Sequence, residues 1–310
     1  MSKEIEAQLD KIPLVNSLVQ IAKHIHFPNN KTFSLYDLLE MYVLGILKGA
    51  FSNRASAIAF SFFMALFPFS LFILNLVPLI PIENFQNDFL SFVEQGVPPT
   101  TFEAIRETLL DIMNTSYGGL LSTGFILSVF LMTNGINAIL GGFELSRHIT
   151  VNRGFFKQYG IALVISLALS FILLITVVAI VFFEVLIQKI KLQGYISEDI
   201  YLIQYGRYLF VAIMILTTVS ILYKYGTKET SKISFISYGS VLTTILFALS
   251  SYLFGIYVVK FSTYNELYGS IGTLLVLMFY IWINCMVLLL GFELNASLSK
   301  LKSKKSIPLH

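Results

Sequence analysis

The stretch Arg54–Pro81, RASAIAFSFFMALFPFSLFILNLVPLIP, has no ionisable side chain between its opening arginine and Glu83, yet it holds three prolines. It could be a membrane span, a cleaved leader or the core of a soluble protein, and length is the first arbiter. The 28 residues from Ala55 to Ile82 would reach ~42 Å as a helix at ~1.5 Å per residue, more than the ~30 Å hydrocarbon layer. A cleaved leader should lie at the extreme N-terminus, whereas this run follows more than fifty residues of mixed polarity. Pro68 has no amide for the carbonyl four residues back, which predicts a bend in mid-span, and Pro78 and Pro81 suit the exit.

The rest of the chain repeats the pattern. Hydrophobic residues make up 56% of it, charged residues 13%, and the mean hydropathy is +0.77, outside the range of a soluble globular domain. Charge-poor windows recur at 119–140, 160–183, 208–223, 233–259 and 271–292. The expected fold is therefore all-α, a polytopic integral membrane protein with six transmembrane helices. The 208–223 window is short, about 24 Å of helix, unless residues 201–206 join it and Arg207 snorkels to the interface. Sixteen of the 21 Lys and Arg residues fall in the N-terminal 54 residues, the 141–159 and 224–232 loops and the C-terminal tail. By the positive-inside rule both termini are cytoplasmic. The net charge of +3 then reflects topology and implies no nucleic-acid partner, and the tail LSKLKSKKS (298–306) reads as an anchor for anionic lipid.

Three segments are expected: a cytoplasmic N-terminal part (1–53), the membrane domain (54–297) and a basic tail (298–310). In the first, SLYDLLEMYVLGILKGAF (34–51) places apolar side chains at three- and four-residue steps, with Ser34 as N-cap and Asp37 in the first turn. This predicts an amphipathic helix along the cytoplasmic interface. Between the first two spans, residues 83–118 read as a helical hairpin on the outer face, its second arm starting in VPPTTFEAIRETLLDIM (97–113).

The ends of spans two and six match. One enters through Asn114–Gly119 and leaves through Gly142-Phe143-Glu144-Leu145-Ser146, and the other enters through Asn265–Ser270 and leaves through Gly291-Phe292-Glu293-Leu294-Asn295. The two intervals differ by two residues and the cores do not align, but the shared ends suggest a duplicated helical hairpin.

Several blocks carry a family resemblance: residues 34–69, the R-G-F-F-K of Arg153–Lys157, and YNELYGSIGTLLVLMFYIWINCMVLLLGFELNAS (264–297). Together they resemble the YihY/BrkB family of bacterial inner-membrane proteins, once named ribonuclease BN. The most specific pieces are Tyr264, Asn265, Tyr268 and Gly269 with Gly291 and Asn295, then Arg54-Ala55 with Pro68. Members usually have a proline after span four, where this chain reads YKYGTKETSK. The resemblance implies a multi-pass inner-membrane protein. Its members have been named for virulence, for a tRNA-processing ribonuclease and as suspected transporters of envelope lipids.

The residues weigh those names. A metal-dependent nuclease needs several His and Asp side chains on one or two cations, but the four histidines, His24, His26, His148 and His310, are scattered. Cys285 beside Asn284 reads as a packing residue, and no G-x-S-x-G occurs. No catalytic residue, metal or cofactor is nominated. The expected function is transport or handling of an envelope lipid or other amphiphile, and the alternative is a scaffold that binds envelope proteins through the outer hairpin. Asn75, Asn134, Asn137, Thr176, Thr243, Thr244 and Asn284 would be costly against lipid, so they line a cavity or join helices. Arg54, Glu144 and Glu293 fall at one membrane level and are expected to form a cytoplasmic charge cluster, with Arg54 touching at least one of the carboxylates.

Overall fold

A computed structural model describes residues 26–27, 30–77, 80, 85–96, 106, 107, 109, 110, 113, 123–150, 153–192, 201–260 and 270–304. Two short antiparallel strands, β1 (His26–Phe27) and β2 (Asn30–Ser34), precede the helices α1 (Leu35–Lys48), α2 (Phe51–Leu76), α3 (Phe85–Gly96), α4 (Thr123–Glu144), α5 (Phe155–Leu192), α6 (Tyr201–Gly226), α7 (Tyr238–Lys260) and α8 (Ser270–Lys304). The ribbon is an addition to the all-α expectation. Residues Ile126–Glu144, Phe155–Ile187, Tyr201–Gly226, Tyr238–Tyr257 and Leu275–Leu301 form five helices long and apolar enough to cross a membrane. Helix α2 carries the opening stretch from Arg54 to Leu76 and keeps Pro68 inside it, while Pro78 and Pro81 lie outside the described residues. Residues 201–206 do join the fourth window, but Arg207 pairs with Glu184 of α5 in place of reaching outward alone.

The chain forms two compact units, one of Met1–Ala59, Ile139–Arg153 and Val219–His310, the other of Phe60–Ala138 and Gly154–Thr218. In the first, α8 packs against α7 and α1. Phe143 stacks on Phe292 with centroids 4.1 Å apart, and the Tyr223 ring meets both edge-on. The Tyr223 hydroxyl sits 2.6 Å from both Thr243 Oγ1 and the Leu288 carbonyl. Helices α7 and α8 approach until a Cβ on Gly291 would lie 1.9 Å from Thr243 Oγ1, and one on Gly239 would lie 2.2 Å from the Gly291 carbonyl. At that crossing Asn295 accepts the Gly239 amide at 2.9 Å and donates to Ser237 Oγ at 2.8 Å. Ser237 caps α7 through the Ser240 amide, so this span begins at Tyr238 and not at Ile233. The turn after α6 has Thr227 and Thr230 hydroxyls 2.9 Å apart in place of a proline. At the other end of the chain, α8 carries the basic tail as helix to Lys304.

In the second unit, Phe85, Phe89 and Leu90 of α3 pack with Leu74, Val77, Met113, Val177 and Val181. The first segment of the expected hairpin is thus a helix, with these three apolar side chains buried. Most of its second arm, like Tyr264, Asn265, Tyr268 and Gly269, lies outside the described residues.

Helix α1 opens with a reciprocal cap: the Asp37 amide donates to Ser34 Oγ and the Ser34 amide to Asp37 Oδ2. Its apolar set splits into two faces. Leu38 is buried, while Leu39, Val43 and Leu47 stand exposed as a stripe at four-residue spacing. A two-residue turn then leads into α2, and its Ala50 has φ of 46°, left-handed backbone that costs a Cβ-bearing residue ~1–2 kcal/mol. Ala50→Gly should therefore stabilise the protein by ~1 kcal/mol, the strain relieved less the added chain entropy of glycine, read as a rise in the detergent-solubilised denaturation midpoint.

Candidate functional site

Arg54 lies one turn into α2 and is only 3% exposed, and Glu293 of α8 is fully buried. Small neighbours explain how the two meet. Ala55 and Ala59 are buried on the same helix, and Gly142 of α4 approaches so closely that a Cβ there would sit 2.6 Å from Ile58. Arg54 Nη1 donates to Glu293 Oε1 at 2.6 Å and its Nε donates to the Gly142 carbonyl at 2.8 Å. The second oxygen, Oε2, accepts the Ser146 hydroxyl at 2.9 Å. Arg54 Nη2 is buried and meets no acceptor among the described residues.

Glu144 does not join this cluster. Its helix ends there, the chain turns, and Oε1 accepts the Arg153 amide at 3.2 Å. Arg153 also donates to the carbonyls of Tyr225 and Gly226 at 2.8 and 2.9 Å, closing the C-terminus of α6. Burial lowers the Arg153 pKa, and Glu144 opposes the shift. The two Gly-Phe-Glu-Leu motifs therefore have unlike carboxylates, one sealed with Arg54 and one half-buried with Arg153.

The cluster has members that the sequence reading missed. Gly45 of α1 faces it: a Cβ there would lie 2.9 Å from His148 Nε2 and 3.1 Å from Glu293 Oε2. His148 Nε2 donates to the Met41 carbonyl of α1 at 3.2 Å and is 4.0 Å from Glu293 Oε2. Burial lowers the His148 pKa; Glu293 and the Met41 bond oppose the shift, and Lys300 and Arg147 reinforce it. The Tyr42 phenol is raised by burial and by the charge of Glu293. The sequence signal was Gly45 in the middle of an amphipathic helix, a position where glycine marks close approach.

The polar residues expected in the spans mostly find partners. Thr176 and Thr244 donate to carbonyls one turn back, those of Ile172 and Ser240. Thr243 pairs with Tyr223, and Asn284 accepts the Ser250 hydroxyl at 3.0 Å while donating to the Tyr280 carbonyl. Asn134 and Asn137 are half-buried, and the Asn75 side chain lies outside the described residues. Of the six whose side chains are described, none lines the cavity found in the second unit. That cavity, about 210 Å³ and half-enclosed, is bounded by Phe62, Ala65 and Leu66 of α2, Met132, Gly135 and Ile136 of α4, Ser166, Leu169 and Leu173 of α5, and Met214 and Thr218 of α6. Its lining is hydrocarbon and thioether apart from two hydroxyls. Ser166 Oγ donates to the Leu163 carbonyl at 2.9 Å and lies 3.3 Å from Thr133 Oγ1, so its polarity is already used.

Removing one partner of a buried ion pair leaves the other uncompensated. Arg54→Glu should accordingly cost ~3–5 kcal/mol; adding Glu293→Arg should restore part of the folded yield, whereas adding Glu144→Arg should not. For His148, the folded pKa lies below the unfolded value of about 6.5, so the unfolded chain binds more protons in acid and stability falls as pH drops through 6.5 toward the folded pKa. Denaturation midpoints followed from pH 7.5 to 5 should show this fall, and His148→Gln should flatten it.

The family profile described as virulence factor BrkB matches residues 45–308. The ribonuclease-like protein YfkH of Bacillus subtilis is 29% identical over 252 residues, which cover 81% of this chain and 90% of that protein. The UPF0761 membrane protein IL2447 of Idiomarina loihiensis is 28% identical over 28% of this chain and 31% of its own length. The UPF0761 membrane protein Cpha266_1653 of Chlorobium phaeobacteroides is 41% identical over 23% of this chain and 16% of its own length. No solved structure matches. With its apolar helices and a profile match over most of its length, the chain is a membrane protein that belongs to the BrkB/YihY family.

Proposed function

We propose that this protein spans the bacterial inner membrane six times, with α2 as the sixth span beside the five helices named above and both termini in the cytoplasm, and that it moves or handles an envelope lipid or other amphiphile. Helix α2 supports the count: it is 26 residues long, enough to span ~30 Å at ~1.5 Å per residue.

The observation that carries the functional reading is the cavity of the second unit. Its lining contains no charged side chain and only two hydroxyls, so it is poorly equipped to hold an ion or a sugar and is suited to hydrocarbon. Amphiphiles are the substrates that bring hydrocarbon to a protein in a bilayer. The scaffold alternative calls for an apolar outer hairpin open to partners, but Phe85 and Phe89 are only 1% and 7% exposed, their surface spent on the protein's own core. The ribonuclease in the name of YfkH belongs to that protein. Among the described residues here, no three His, Cys, Asp or Glu converge as a metal-dependent nuclease requires.

Depletion of the protein in its host, followed by lipid profiling of each leaflet, tests the reading. One lipid class should accumulate on one side and return when the wild-type chain is restored. An unchanged distribution of every class would sink it.

A further inference from the structure

Resting on that reading and going beyond it, we infer that the cavity is a tail slot: a site for one hydrocarbon chain of a bilayer lipid, admitted sideways between helices, with the headgroup left outside.

Size sets the limit to one chain. An apolar cavity of ~150 Å³ accommodates benzene, so the 210 Å³ found here holds roughly eight carbon atoms. That is a stretch of one acyl chain and too little for two. A folded polar headgroup would also find too little to bond: of the two lining hydroxyls, Ser166 has spent its own inside the protein, which leaves Thr218 alone. Water is disfavoured on the same ground, since a buried water needs ~2–4 polar partners.

Small side chains open the space. Ala65, Gly135, Ser166 and Thr218 contribute one to each of four helices, and α2 and α4 touch at one end, where a Cβ on Gly135 would lie 2.8 Å from Ala65 Cβ. Met132 and Met214 supply adaptable walls, flexible enough to follow a chain in more than one conformation. The surroundings are those of a lipid-facing surface. Phe62 of the lining is 39% exposed, and Phe130, Phe171 and Ile213 on three of the bounding helices are 51%, 55% and 52% exposed.

The test uses the full-length protein in phospholipid nanodiscs doped with a phospholipid bearing a diazirine on its acyl chain. After irradiation, labelled residues are mapped by mass spectrometry. Leu66, Met132, Leu169 and Met214 should be labelled, as should the lipid-facing Phe171 and Ile175 of α5, which serve as internal controls. Leu169→Trp and, independently, Thr218→Phe fill the space. Either should reduce labelling of the remaining cavity positions about tenfold, the effect of displacing even two methylenes from an apolar site, while Phe171 and Ile175 keep theirs. A diazirine fatty acid supplied free in place of the phospholipid is the second arm.

The tail slot is overturned if cavity positions take no label, if both filled variants leave their labelling unchanged, or if only the free fatty acid labels them. The result also separates the two proposals. Cavity labelling with an unaltered leaflet distribution keeps the slot and removes the transport reading, and the reverse pattern keeps transport and removes the slot.

Discussion

A carboxylate sealed from water must be neutralised and hydrogen-bonded by its neighbours, and Glu293 imposes that requirement on everything around it in the first unit. Arg54 provides the charge and Ser146 the second hydrogen bond. To bring them there, α2 must present a run of small residues, α4 must offer Gly142 and its carbonyl, and α1 must cross at Gly45. The desolvation of two charges would cost more than their attraction returns if any one of these contacts were loose. The geometry is therefore specified over four stretches far apart in sequence, which is what a buried pair contributes best: a unique arrangement more than raw stability.

The same cluster shows what the sequence could and could not reveal. Helix positions, the Ser34 cap and the opening arginine followed from periodicity, turn chemistry and charge segregation, because those signals are local. Glu144 and Glu293 sit in the same Gly-Phe-Glu-Leu context, and nothing local distinguishes them. What separates them is what each meets: α4 stops at Glu144 and the Arg153 amide bonds to it, whereas α8 runs on past Glu293, which Arg54, Ser146 and the crossing at Gly45 cover. Gly291 and Asn295 were legible as motif residues but not in their roles, since the Gly291 contact with Thr243 and the Asn295 bond to the start of α7 depend on how two helices cross.

The span threonines and asparagines could line a cavity or join helices, and those with partners bond within or between helices for a physical reason. A hydroxyl in a helix can satisfy itself on the carbonyl one turn back, as Thr176 and Thr244 do, and an amide can reach across to a serine, as Asn284 does. Once satisfied internally, a polar group has little drive to seek a hydrated cavity, so polarity in a span is a poor guide to where space lies. The space lies where side chains are small on four helices at once. That coincidence belongs to packing in three dimensions and leaves no periodic trace in any one segment.

The surrounding solvent changes what such a space costs. In a soluble core an unfilled cavity loses ~24 cal/mol per Å³, which for the 210 Å³ cavity would amount to at most about 5 kcal/mol, comparable with the whole margin of a folded domain. In a bilayer the same wall meets a medium of mobile hydrocarbon, and a chain end that enters restores most of the lost dispersion contacts without exposing a polar group. A pocket of this kind is thus tolerable in a membrane protein where it would be a defect in water. Its persistence needs no polar anchor, only four small residues and two methionines that allow the walls to close around whatever hydrocarbon arrives.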